Sequence, residues 1–470
     1  MELITLALVL GLVVLSGLLS STRKGGLLSY VKADGRLPWG MAGVSLFMSF
    51  FSAGTFVAWG SVAYERGAVA IAIQETVCLA GLAVALTAAA RWRRTGAATA
   101  ADYLSRRFGA TVQRCYSALY FLMSVFSAGA FLYPVSRLVS AWTGFPLGWC
   151  IAVLGLACVA YVSLGGLWSV AVTDVIQFLV LVVATFVAVP LSLKRAGGAG
   201  ALLSSLPESF LQPCDAEYTW MFLVFFCLYN AVHLGGNWGF VQKFLSVRSE
   251  RDARRSALLF AFLYLVFPVL WMLPSMAYRV VAGPDAAGED AFVLMSRSVL
   301  PAALFGVMLA GMVFASFSSI NAMLTTASSV VANDFVKPAR PELSDRRLLW
   351  IARGTGIAFG LLAILVALLV PRMGGIVNVV ITLAALAGTP LYLPVIWSLF
   401  SQRITGPDML KVTLVCLLVN IFFKFLAPAA FSLTLDRTGE MVLGVGLPFL
   451  LLALLEIRHA VMHKHISITQ

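Results

Sequence analysis

Apolar residues run along this chain in long blocks, broken by short polar loops. Stretches such as Leu258 to Tyr278 and Ile351 to Val370 hold little or no charge and, as helix, are long enough to cross ~30 Å of hydrocarbon. Blocks of this kind recur at 2–20, 38–64, 67–90, 112–142, 145–164, 167–193, 217–246, 256–283, 292–332, 347–370, 374–402, 408–428 and 441–457, which predicts about thirteen membrane-spanning helices. The alternation of apolar and polar residues over ~10 positions that marks a membrane β-barrel strand is absent. The pattern predicts an all-α integral membrane protein. The block from Leu3 to Leu19 resembles the apolar part of a secretion signal, but it lacks a charged start and a clear small-residue cleavage site, so it reads as a helix.

Composition agrees with that class. The 470 residues are 60% hydrophobic and 11% charged, with a mean hydropathy of +0.93, too little polar material to cover a soluble protein of this size. The net charge of +12 raises the question of a nucleic-acid partner, and its distribution answers it. Arg23, Lys24, Lys32 and Arg36 share one side with Arg91 to Arg114, Lys243 to Arg255, Lys337 to Arg353, and Arg403, Lys411, Arg458 and Lys464. The opposite loops hold only Arg66, Lys194, Arg195, Arg279, Arg297, Arg372, Lys424 and Arg437. That bias puts the N-terminus outside and the C-terminus in the cytoplasm, and the charge reports topology, not nucleic acid. The seven cysteines form no CxxC pair or metal spacing and read as small packing residues. HExxH, GxSxG and paired catalytic carboxylates are missing, and three of the four histidines (His459, His463 and His465) sit in the tail, which argues against an enzyme.

Two spans are interrupted in corresponding places. Span 38–64 carries Ser52-Ala53-Gly54-Thr55, and span 217–246 carries Leu234-Gly235-Gly236-Asn237. Each opens a set of five spans, 38–193 and 217–402. Matched breaks are what an inverted-repeat transporter presents, because freed backbone groups line a site at mid-membrane; glycine that merely permits close packing is the competing explanation. The late span adds hydroxyls: Ser316, Ser318, Ser319, Thr325, Thr326, Ser328 and Ser329. They are either glue between helices or a path for a hard cation, which needs several oxygen ligands where lipid supplies none. Asp174, inside span 167–193, is costly there unless paired, solvated or close to a cation, and it reads equally as an interfacial residue near the cytoplasmic end that needs no ion.

The run Gly165 to Gln177 resembles a signature of the sodium/solute symporter family. So do Ser49 to Gly67, Asn237 to Arg255 with Val241-Gln242-Lys243, Phe314 to Phe335 ending in Asn333-Asp334-Phe335, and Pro390 to Thr405. The resemblance implies a leucine-transporter-type fold in the plasma membrane: an N-terminal extra helix and loop (1–37), a first inverted repeat of core helices 1–5 (38–193), an outside loop (194–216), a second repeat of core helices 6–10 (217–402), and two C-terminal helices with a short tail (403–470). It implies uptake of a small polar organic solute by alternating access, driven by sodium, with no other cofactor. Position by position, the sodium site would use carbonyls of Met48, Phe51 and Ala315 with hydroxyls of Ser318 and Ser319. A second sodium in some members maps to Asp174, Ser318 and Asn321, but the further ligand position holds Ala322, which offers no side-chain oxygen.

For the solute the resemblance points to Gly54, Thr55, Gln74 and Asn237. Glu75 would lie on another face from Gln74, as an interhelical partner. Arg137 reads either as an attractor of a carboxylate or as a cation reaching the outer interface. His233 and Trp59 read as packing residues. A proton-coupled carrier of the same fold and a transporter-like sensor remain as alternatives; the non-titratable Ser318 and Ser319 favour sodium over a proton, and the short tail disfavours a sensor. Substrate identity and oligomeric state are not legible.

Overall fold

The computed structural model describes Gly11 and residues 32–164, 167–286, 288–373 and 388–468. Most of the expected span 2–20, the first half of span 374–402 and the glycine pair Gly165-Gly166 lie outside the described residues. The apolar blocks form helices: α1 (Trp39–Phe50), α2 (Thr55–Arg66), α3 (Ala68–Leu86), α4 (Ala110–Thr143), α5 (Leu147–Leu164), α6 (Leu167–Arg195), α7 (Trp220–Gly236), α8 (Trp238–Ser246), α9 (Glu250–Ala282), α10 (Ala291–Val299), α11 (Ala302–Val330), α12 (Asp345–Leu369), α13 (Thr389–Ser398), α14 (Gly406–Ile421) and α15 (Leu447–Ile468). Among the described residues, eight helical segments are long and apolar enough to cross a bilayer alone. The bent pair α1–α2 makes up to nine, and α5 and α7 are shorter apolar helices. The protein is a multi-pass helical membrane protein.

Local chemistry marks where these helices begin. Thr219 accepts from the Phe222 amide at the start of α7, and Ser249 from the Asp252 amide at the start of α9. Thr405 and Asp408 form a reciprocal capping box on α14, each device satisfying amides that a first turn leaves open. Packing relies on small residues, since lipid gives helices no hydrophobic reason to associate. At the α4–α12 contact a side chain on Gly129 would come within 2.6 Å of Val366, and between α5 and α12 one on Gly360 would come within 2.3 Å of Val159.

The helix α11 is central. Every residue from Phe314 to Val330 is buried, and its neighbours are α1, α4, α6, α8 and α12. A helix enclosed on all sides can hold many hydroxyls because protein, not lipid, faces them. Long helix α9 packs against α3, α1 and α6. On its inner face Trp271 stacks on Phe51, with centroids 4.0 Å apart, and anchors the point where α1 ends.

One turn shows how tightly the elements are joined. Gly67, between α2 and α3, has φ +64° and ψ −122°, a region reserved for glycine, and a Cβ there would lie 2.3 Å from the Phe210 carbonyl. Gly67→Ala is therefore expected to lose about 1–3 kcal/mol from backbone strain alone, seen as a lower melting temperature in detergent. An unchanged melting temperature would mean that the Phe210 segment yields freely.

Candidate functional site

The helix α1 ends in mid-protein. The last four carbonyls of a helix lack intrahelical partners, and here Phe51, with φ −83° and ψ 140°, turns the chain out of the helix. After residues 51–54 the chain resumes as α2, bent by 59° from α1, with its first turn in π form over Thr55–Trp59. Such widened turns recur at functional sites.

Ser319 on α11 faces this end. Its Oγ donates to the Phe51 carbonyl at 2.8 Å and lies 3.5 Å from the Met48 carbonyl and 3.2 Å from that of Ala315. Ser318 Oγ, the next hydroxyl, is 3.4 Å from Ser49 Oγ. All five residues expected to hold sodium are fully buried. The arrangement is short of protons: three carbonyls that only accept converge on one hydroxyl, which has a single proton to give. The negative end of the α1 dipole adds to the same point. An oxygen cluster of this kind, rich in lone pairs and closed to water, suits a small hard cation.

Beside it is a partly open cavity of about 130 Å³. Of the residues expected to meet a solute, Gly54, Thr55 and Gln74 line this cavity, and Asn237 does not. The reason is geometric. Asn237 is itself the break between α7 and α8, where its Oδ1 caps the Gly239 amide at 3.0 Å and its Nδ2 donates to the Tyr392 hydroxyl at 3.2 Å. Its side chain is committed to holding the break.

Other cavity residues were not singled out for this role by the sequence. Ser127 and Asn230 add polar groups, with Asn230 Nδ2 donating to Thr76 at 3.1 Å. His233 and Trp59, read as packing residues, both face the cavity. His233 stacks on Tyr229, with centroids 5.4 Å apart, and packs edge-on to Phe50 and Phe240, while its Nδ1 has no hydrogen-bond partner among the described residues. Among the described residues no charged side chain lines the cavity, and the stretch 374–387 contains none either. Glu75 is not on the lining, and its Oε1 is unpartnered among the described residues. Arg137 does not stop at the interface: its Nε is 2.9 Å from Glu289 and 3.9 Å from Asp290, which ties α4 to the segment that leads into α10.

The start of α2, at the first break, is already satisfied. The Ala53 amide donates to Ser316 Oγ at 3.0 Å, Gly54 to Ser52 Oγ at 3.1 Å, and Thr55 to the Ser52 carbonyl at 2.9 Å. The open amides that would draw an anion to a helix N-terminus are taken up by serine. The cavity therefore meets a solute through amide, hydroxyl and imidazole groups set among aromatic rings.

A model of the Sodium:solute symporter family matches residues 30–415. The chain is 28% identical to the sodium-dependent multivitamin transporter of Oryctolagus cuniculus over 323 residues, covering 62% of this chain and 49% of that protein. It is 25% identical to the sodium-coupled monocarboxylate transporter 2 of Bos taurus over 414 residues, covering 83% and 66%. The chain thus spans between half and two-thirds of the length of these relatives. Among solved structures, the substrate-bound outward-open state of a Na+-coupled sialic acid symporter superposes with a TM-score of 0.82 at 19% identity over 96% of each chain. MhsT in complex with L-phenylalanine superposes at 0.56 with 14% identity, over 90% of this chain and 99% of that one. The family match runs across the two broken spans, the buried aspartate and the late hydroxyl helix, and the chain belongs to the sodium:solute symporter family, with its leucine-transporter-type helical fold.

Proposed function

We propose that this chain is a secondary active transporter that couples inward sodium flow to the uptake of a small polar organic solute, and is a carrier rather than an enzyme. The observation that carries this reading is the convergence of the Met48, Phe51 and Ala315 carbonyls on Ser319 Oγ, with a cavity directly beside the same break. The sodium ion is cargo. It would join α1 to α11 and so favour the arrangement of helices in which the cavity accepts solute, and solute binding would then permit closure. Each sodium entering gains ~2.3 kcal/mol per 100 mV of membrane potential, enough with the chemical gradient to concentrate a solute many-fold. In this reading the protein sits in the plasma membrane, and the loop charges favour an N-terminus outside and a C-terminus in the cytoplasm.

The test is a thermal-shift matrix of the purified full chain against amino acids, sugars, carboxylates and vitamins, in sodium and in potassium. A solute present at a hundred times its Kd is expected to add ~2.7 kcal/mol of stability, and in sodium alone. Stabilisation that is equal in potassium would replace sodium by another coupling ion or by sensing. A protein that sodium never stabilises would overturn the reading.

A further inference from the structure

The aspartate of α6 already has a cation. Asp174 is fully buried, and its Oδ2 accepts from the Ser45 hydroxyl of α1. The same Ser45 oxygen accepts from Lys243 Nζ of α8 at 2.5 Å, and Nζ stands 3.9 Å from Asp174 Oδ2. The lysine side chain is 1% exposed and the carboxylate 0%. The three groups form one chain, Nζ to hydroxyl to carboxylate, the geometry in which a hydroxyl bridges an ammonium and a carboxylate. A charge enclosed this deeply survives when it is paired and hydrogen-bonded, and here the partner is carried by the protein itself.

The residues that would hold a second sodium are placed accordingly. Asn321 Oδ1 accepts from Thr325 Oγ1 at 2.6 Å, and the neighbouring position is Ala322. Lys243 shares a small cavity with both. Asp174 Oδ1 makes no close hydrogen bond among the described residues, and the Ser318 hydroxyl stands beside the carboxylate. What a second ion would meet there is the positive charge of Lys243 in a low-dielectric interior, where like charges repel strongly.

We infer that Lys243 is a built-in cation that takes the place of a second sodium at Asp174, so that the chain binds one sodium, at Ser319. The inference rests on the proposed sodium coupling and fixes its ratio. The experiment is equilibrium binding of radiolabelled sodium to the purified full chain, which needs no solute. Wild type is expected to bind one sodium per chain, and Ser319→Ala to bind it about ten- to a hundredfold more weakly. Lys243→Gln, which strips Asp174 of its counter-charge, is expected to gain a second. The double variant Asp174→Asn/Lys243→Gln leaves no unpaired buried charge and is expected to return to one; should the single variant be unstable in potassium, its rescue by sodium beyond that of wild type supports the inference and its absence overturns it. Two sodium ions in wild type, with one lost in the double variant, would overturn this inference and leave sodium coupling standing. A Lys243→Gln protein that folds and still binds one would overturn it as well. No sodium bound by wild type would take down both.

Discussion

Ser319→Ala is expected to weaken sodium binding by about ten- to a hundredfold, since one hydrogen-bonding group facing a charge is worth roughly 1.5–3 kcal/mol and each 1.4 kcal/mol is tenfold. The hydroxyl is the point on which three carbonyls converge, and alanine leaves those carbonyls in place with one oxygen fewer. The same substitution removes the bond that holds the Phe51 carbonyl at 2.8 Å, so some loss of stability in sodium-free buffer is also expected, on the order of 1 kcal/mol. The two effects separate by measurement. Melting in potassium reads the structural part, and the sodium dependence of the melting temperature reads the ion site. If sodium stabilises wild type and Ser319→Ala with the same midpoint, Ser319 is not a ligand.

Much of this site is legible in the sequence because its signals are local. A glycine and two hydroxyls in the middle of an apolar block, Ser52 to Thr55, already imply a broken helix, and Ser318-Ser319 imply oxygens on a buried one. What joins them is the fold: Phe51 and Ser319 are 268 residues apart. A shorter separation in sequence still hides the Lys243–Asp174 pair, for nothing in the run Val241-Gln242-Lys243 says that its lysine turns inward and not toward the cytoplasm. Asn237 misleads for the opposite reason. It stands beside two glycines at a break, the setting of a solute ligand, yet an asparagine that leads a helix is a strong cap, and the cap with Tyr392 uses its amide. His233 packs among aromatic rings, as its sequence setting suggests, but a lone histidine on an apolar helix gives no hint that one face also meets the cavity. Arg137 finds its acidic partners in a loop, Glu289 and Asp290, where no periodicity operates.

Gln74→Leu is expected to raise the KM for the transported solute by about ten- to a hundredfold, the cost of leaving one or two polar groups of a buried ligand unpaired at roughly 1–3 kcal/mol. Gln74 is 3% exposed and lines the cavity, and leucine keeps its approximate size while removing donor and acceptor together. Sodium affinity measured without solute should hold, because Gln74 lies on α3 and contributes nothing to the Met48–Phe51–Ala315–Ser319 cluster. Ser319→Ala should behave in the reverse order, with sodium affinity falling first and solute affinity following by the coupling between the sites. That coupling is reciprocal in binding free energy: whatever factor sodium lends to solute affinity in wild type, saturating solute must lend to sodium affinity. A Gln74→Leu protein whose solute-free sodium affinity falls as far as that of Ser319→Ala would show that the glutamine supports the helix break instead of the solute, and the cavity would then need another set of recognition groups.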